Sequence, residues 1–73
     1  MNLLRLKLEG RELTAPELDV LRLAARGLSA RETGENLFKS EHTIIAQRRA
    51  IQAKLGAKNL LHAVALAYER QVL

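Results

Sequence analysis

The sequence contains no cysteine and no tryptophan, and only one phenylalanine and one tyrosine among its 73 residues. The absence of cysteine excludes disulfides, thiolate nucleophiles and thiolate metal sites, and it indicates an intracellular protein. Aromatic residues make up 3% of the chain and hydrophobic residues 48%, so the core must consist of Leu, Ile, Val and Ala. This composition is typical of a helical protein.

Long apolar runs are also missing. No stretch approaches the roughly 20 apolar residues that a transmembrane helix needs, and the first residues lack a signal-peptide pattern. We therefore expect a soluble, cytoplasmic protein with no membrane partner. A chain of this length forms one domain at most, and its small core favours short connections and a second copy as a partner.

Positive charge is concentrated in the segment from Lys39 to Lys58. This segment has five basic residues against Glu41 alone, and the remaining seven basic and seven acidic residues cancel, so the net charge of +4 lies here. Basic residues grouped in this way displace counterions from phosphates, which indicates a nucleic-acid partner. The alternative interpretation is a solvated basic face.

The same segment is predicted to form one helix over residues 41–55. Ser40 suits the N-cap position, and Gly56 suits a left-handed stop. Helical spacing predicts a buried stripe of Ile44, Ile51 and Leu55. The opposite side of this helix carries His42, Ile45, Arg49, Gln52 and Ala53.

Two shorter helices precede it. Thr14 and Glu17 form a capping-box pattern that predicts a helix as far as about Arg26. A second capping box at Ser29 predicts a helix over residues 30–37. Gly34 inside this second helix suggests a close approach to another helix. Two short helices joined by a tight turn, the second of which carries an exposed basic face, indicate a helix-turn-helix.

A last helix is predicted from Leu60 to about Val72, capped by Asn59. Part of its apolar surface can face the core, which leaves a second apolar stripe that needs another cover. A homodimer would supply this cover. The predicted dimer interface consists of Leu61, Ala65, Tyr68 and Val72.

The sequence predicts a separate N-terminal arm over residues 1–12. Leu4, Leu6 and Leu8 alternate with charged residues, which is the period of a strand. A lone strand is unstable, so the arm either pairs with the same arm of a second copy or packs as an irregular lead-in.

Five stretches occur in the order LTAPELDVLRLAARGLS, ETGENLF, SEHTI, IQAKLGAKN and AVALA. Together they resemble the LuxR/GerE-type helix-turn-helix domain of bacterial transcription regulators, over residues 13–67. The resemblance implies an all-α, four-helix domain over residues 13–73. In such a domain helix 41–55 enters the DNA major groove and the last helix forms a dimer. No segment remains for a ligand-binding or phosphoacceptor domain, so the resemblance implies a stand-alone module.

The resemblance also implies roles for individual positions. Thr43 and Lys54 correspond to positions near the phosphate backbone, and three further positions correspond to ones that face base edges: Ile45, Ala46 and Arg49. Ile45 and Gln47 stand where the family commonly has Lys and His, and Lys39 stands where an apolar residue is usual. The predicted DNA-binding residues are Lys39, His42, Thr43, Ile45, Ala46, Gln47, Arg48, Arg49, Lys54 and Lys58.

The predicted function is sequence-specific binding of double-stranded DNA by a homodimeric transcription regulator. Two alternatives stay open: a helix-turn-helix-derived module that binds RNA polymerase or another regulator, and a sigma-region-4-like domain. The KLG-then-AVALA ending favours the first function. No paired catalytic groups, phosphate loop or metal cluster can be identified, so we expect neither an enzyme nor a cofactor. His42 and His62 are expected to be polar surface residues.

Overall fold

The computed structural model describes residues 13–73, and these residues form four helices and no strand. The all-α, four-helix prediction is therefore confirmed. The strand predicted near the N-terminus lies outside the described residues. No helix within residues 13–73 has the length and apolar character needed to cross a membrane. The helices are α1 (Ala15–Ala25), α2 (Ala30–Leu37), α3 (Glu41–Leu55) and α4 (Leu60–Glu69).

Each helix begins at a side chain that accepts a hydrogen bond from the backbone of its first turn. In α1 the Glu17 N–H donates to Thr14 Oγ1 at 3.3 Å, and the Thr14 N–H donates to Glu17 Oε1 at 2.8 Å. The same reciprocal pattern begins α2 at Ser29 and Glu32. Both predicted capping boxes are confirmed. Because these bonds span only three residues, the sequence alone specifies where the helices start.

α3 packs against each of the other three helices and supplies the centre of the core. Its predicted stripe of Ile44, Ile51 and Leu55 is buried, which confirms the assignment of its inner side. These side chains meet Val20 and Leu21 of α1. The remaining members of the buried cluster are Leu13, Ala63 and Ala67.

The last helix is shorter than predicted. α4 ends at Glu69 because Gln71 takes the left-handed conformation, with φ of 60°. The Val72 N–H then donates back to the Ala67 carbonyl at 2.8 Å, and the Gln71 N–H donates to the Tyr68 carbonyl at 3.1 Å. This is a Schellman ending, in which the residue after the left-handed one folds back on the helix. Val72 therefore packs against the core and does not continue the exposed stripe.

Among residues 13–73, Thr33 is the one fully buried polar residue whose side chain has no hydrogen-bond partner. The residue has no exposed surface, and its Oγ1 makes no hydrogen bond to any other described residue. When a buried hydroxyl has no hydrogen-bond partner, the free-energy cost of removing it from water is not compensated. The surrounding side chains thus favour an apolar residue of the same shape.

We expect Thr33→Val to raise the free energy of unfolding by about 1 kcal/mol, because it replaces an unpaired buried hydroxyl with a methyl group of similar volume. Urea unfolding followed by circular dichroism measures the change. Thr14→Val is the matched control and should lower the free energy of unfolding by about 1 kcal/mol, because it removes an N-cap acceptor. Equal or lower stability of Thr33→Val would show that the hydroxyl has a partner after all.

Candidate nucleic-acid interface

The turn between α2 and α3 sets the direction of α3. The Lys39 N–H donates to the Gly34 carbonyl at 2.8 Å, and a methyl group at Gly34 would collide with the Lys39 carbonyl oxygen. The close approach predicted from Gly34 is thus present, and it involves the turn that leads into α3. Ser40 then caps α3 by accepting the Thr43 N–H at 3.0 Å.

Arg48 ties the middle of α3 to the connection between α1 and α2. Its Nη2 donates to the Leu28 carbonyl at 2.8 Å, across 20 residues of sequence. The side chain is half-buried, and its Nε makes no hydrogen bond within residues 13–73. One end of this guanidinium therefore links α3 to the connection between α1 and α2.

Lys54 ties the end of α3 to the start of α1. Its Nζ lies 2.8 Å from Glu17 Oε1, the same oxygen that accepts the Thr14 N–H. Burial favours the neutral carboxyl, but the hydrogen bonds from Lys54 and Thr14 and the charge of Lys54 lower the pKa of Glu17 below its ordinary value of 4.5. The ion pair thus joins the two helices and neutralises one of the five cations in the basic segment.

The outer face of α3 consists of His42, Ile45, Ala46 and Arg49, all exposed. Thr43 is exposed beside it, and the Thr43 hydroxyl accepts a hydrogen bond from the Ser40 hydroxyl at 2.9 Å. Gln47 is half-buried, and its Oε1 has no partner among the described residues. Of the ten predicted DNA-binding residues, seven are therefore exposed and three are half-buried: Gln47, Arg48 and Lys54.

The exposed cations of the basic segment lie at and around the outer face. Lys39 precedes α3, Arg49 lies on its middle turn, and Lys58 follows it. None of these three forms a salt bridge with another residue of the described part of the chain. Their charge is available to a polyanion, whereas Lys54 is already paired.

A second exposed surface lies on α4. Leu61 is 79% exposed, Tyr68 is 60% exposed, and Ala65 between them is exposed as well. We call these three residues the α4 stripe. Val72, predicted as the fourth residue of the dimer interface, is half-buried and packs against the core, so we leave it out of the α4 stripe.

Sequence reasoning gave no surface role to Phe38, which is 95% exposed. It ends α2 in the left-handed conformation, with φ of 59° and ψ of 45°. This conformation turns the backbone toward Lys39 and leaves the ring outside the core. The sequence feature that could have predicted this exposure is the adjacent pair Leu37 and Phe38, because only one of two neighbouring residues at a helix end can face inward.

A model of the family described as bacterial regulatory proteins, luxR family, matches residues 11–67, which is most of the chain. The chain belongs to the luxR family. This membership confirms the resemblance found in the sequence. It implies DNA binding and transcription regulation. The family is non-enzymatic. Comparisons of the luxR-family chain with curated proteins and with solved structures gave no significant match.

The paired Glu17 gives the luxR-family domain an acid-sensitive contribution to stability. Its pKa is lower in the folded state than in the unfolded chain, so the contribution is present above about pH 4.5 and is lost as pH falls through the folded-state pKa. Glu17→Gln should lower the free energy of unfolding at pH 7 by about 1–2 kcal/mol, because Lys54 loses its charged partner. The free energy of unfolding should also fall less steeply with acid in Glu17→Gln than in the wild type.

Urea unfolding at several values from pH 7 to pH 3 tests this prediction. Glu32, whose pKa is lowered by the hydrogen bonds from Ser29, contributes equally to both proteins and cancels in the comparison. Glu69→Gln at the exposed end of α4 is the matched control and should follow the wild-type curve. Parallel curves for Glu17→Gln and wild type would contradict the assignment.

Proposed function

We propose that this domain binds specific sequences of double-stranded DNA and regulates transcription, with the outer face of α3 in the major groove. The observation that carries the proposal is the contrast between the two sides of α3. One side is buried against three helices, and the other side exposes Arg49. The one acidic residue of α3 is Glu41, at the start of the helix. An exposed basic helix side held on a rigid frame is the arrangement with which a helix-turn-helix reads bases.

The proposed roles follow exposure. Arg49, Ala46 and Ile45 face base edges, because they occupy the middle of the outer face. The residues proposed to contact phosphate or flank it are Lys39, His42, Thr43 and Lys58, at the two ends of α3.

The half-buried residues of the predicted set have a different proposed role. Arg48 and Lys54 orient α3 through Leu28 and Glu17, and the exposed remainder of each side chain adds positive potential near the backbone. Gln47 lies between the core side and the outer face, where its buried Oε1 is available to a donor that approaches with the DNA.

Arg49→Ala should weaken binding to a selected duplex by about 1–3 kcal/mol, the scale of a bidentate arginine–guanine contact. The duplex is obtained by selection from random DNA at a stated salt concentration, and affinities are compared by gel shift at that salt. Arg22→Ala is the matched control, because Arg22 lies on α1 with its guanidinium 3.7 Å from Asp19. Affinity that stays equal in wild type and Arg49→Ala would remove Arg49 from the proposed interface.

The proposed active form is a homodimer joined through the α4 stripe. Leu61 and Tyr68 expose large apolar surfaces that the domain itself does not cover, and a two-fold axis at this stripe would let the same residues cover each other. Two copies related in this way would present their α3 helices to half-sites about 34 Å apart. The preferred DNA site would then be roughly palindromic.

Leu61→Glu combined with Tyr68→Glu should give a folded monomer with weaker DNA binding, because two charges would have to be buried in the interface. Sedimentation measures the mass and circular dichroism the helix content. The matched control is the pair Leu61→Lys and Tyr68→Lys, which should also prevent dimerisation but adds charge that attracts DNA. Val72→Glu, by contrast, should lower the free energy of unfolding, because the half-buried Val72 packs against the core. A wild-type protein that is monomeric both alone and on DNA would contradict the dimer proposal.

A second candidate function is a module that binds RNA polymerase or another regulator. The observation that favours it is the exposure of Phe38 beside α3, together with Ile45 on the outer face, because exposed apolar residues are more typical of protein contacts. Salt dependence separates the two functions. DNA binding weakens steeply with salt through counterion release, whereas a contact made by these apolar residues does not.

A further inference from the structure

Ile45 is a large apolar residue that the core does not use. The buried side of α3 carries Ile44, Ile51 and Leu55, whereas Ile45 is 37% exposed and is not among the residues packed against the core cluster. A partly exposed isoleucine in the middle of the outer face therefore offers branched apolar surface to whatever binds there.

The neighbours of Ile45 leave that surface open. Ala46 beside it is exposed and too small to cover it, and Arg48 one turn further on is directed to the Leu28 carbonyl. Arg49, also one turn further on, is exposed and forms no salt bridge within residues 13–73. The centre of the outer face thus combines one apolar contact surface with one long hydrogen-bond donor.

We propose that Ile45 determines specificity by packing against the C5 methyl group of a thymine in the major groove. This inference rests on the proposed function and adds the base that Ile45 selects. Thymine is the only one of the four standard bases with a methyl group at the major-groove edge, and most of the other groups that the bases present there, including O4 of thymine, form hydrogen bonds. Isoleucine cannot pair with those groups, so it leaves them desolvated and unsatisfied, whereas a methyl group loses nothing by contact with it.

The position of Arg49 locates this thymine within the site. Ile45 and Arg49 are four residues apart, which corresponds to about 6 Å along a helix with a rise of 1.5 Å per residue. Successive base pairs of DNA are about 3.4 Å apart. A helix that follows the groove would therefore place the thymine about two base pairs from the base that Arg49 contacts.

The test replaces each thymine of the selected duplex, one at a time, with deoxyuridine, which lacks only the methyl group. Wild-type protein should lose about fourfold in affinity at one thymine of a half-site, the value that corresponds to one buried methyl or methylene group. Ile45→Ala should bind the thymine and deoxyuridine duplexes equally, because it no longer reaches the methyl group. Ile45→Val, which keeps a branched side chain, should retain most of the discrimination.

The outcomes separate this inference from the function on which it rests. Equal binding of all deoxyuridine duplexes by the wild type, or the same loss in wild type and Ile45→Ala, would overturn the role of Ile45. The proposed function would still stand if Arg49→Ala weakens binding to the same duplex. If selection from random DNA enriches no duplex at all, the proposed function and this inference both fail. Circular dichroism of each variant shows that the comparison is made between folded proteins.

Discussion

The fold depends on the burial of one side of α3 against the three other helices. Because Ile44, Ile51 and Leu55 occupy the centre of the core, the opposite side of the same helix is held at the surface as a rigid face. One helix therefore carries both the centre of the core and the outer face of the candidate interface. A substitution on the inner side is expected to act on folding, and under the proposed function a substitution on the outer side is expected to act on DNA binding.

Polar contacts add orientation to this apolar packing. The turn at Gly34 holds the start of α3, Arg48 holds its middle through Leu28, and the ion pair between Lys54 and Glu17 holds its end. The three contacts join α3 to α2, to the connection between α1 and α2, and to α1. The orientation of the outer face is therefore fixed along the whole length of α3. Two of the five cations in the basic segment serve this purpose, which means that net charge overstates what is available to phosphate.

Much of the fold could be predicted because its determinants are local. The capping boxes of α1 and α2 span three residues each, and the periodic stripe of α3 is visible in the order of its side chains. The end of α4 could not be predicted in this way. Gln71 adopts a left-handed conformation that its residue type does not favour, and the packing of Val72 against the core accompanies it.

The sequence by itself determined the helix starts, the inner and outer sides of α3 and the position of the positive charge, since these follow from spacings of up to about four residues. Only the tertiary structure decided which side chains remain free at the surface. Arg48 reaches a carbonyl 20 positions away, and Lys54 reaches a carboxylate 37 positions away. No pattern along the chain reveals such pairs, because they exist only once the helices have packed. The same packing leaves Arg49 and Ile45 unengaged and so makes them the centre of the candidate interface.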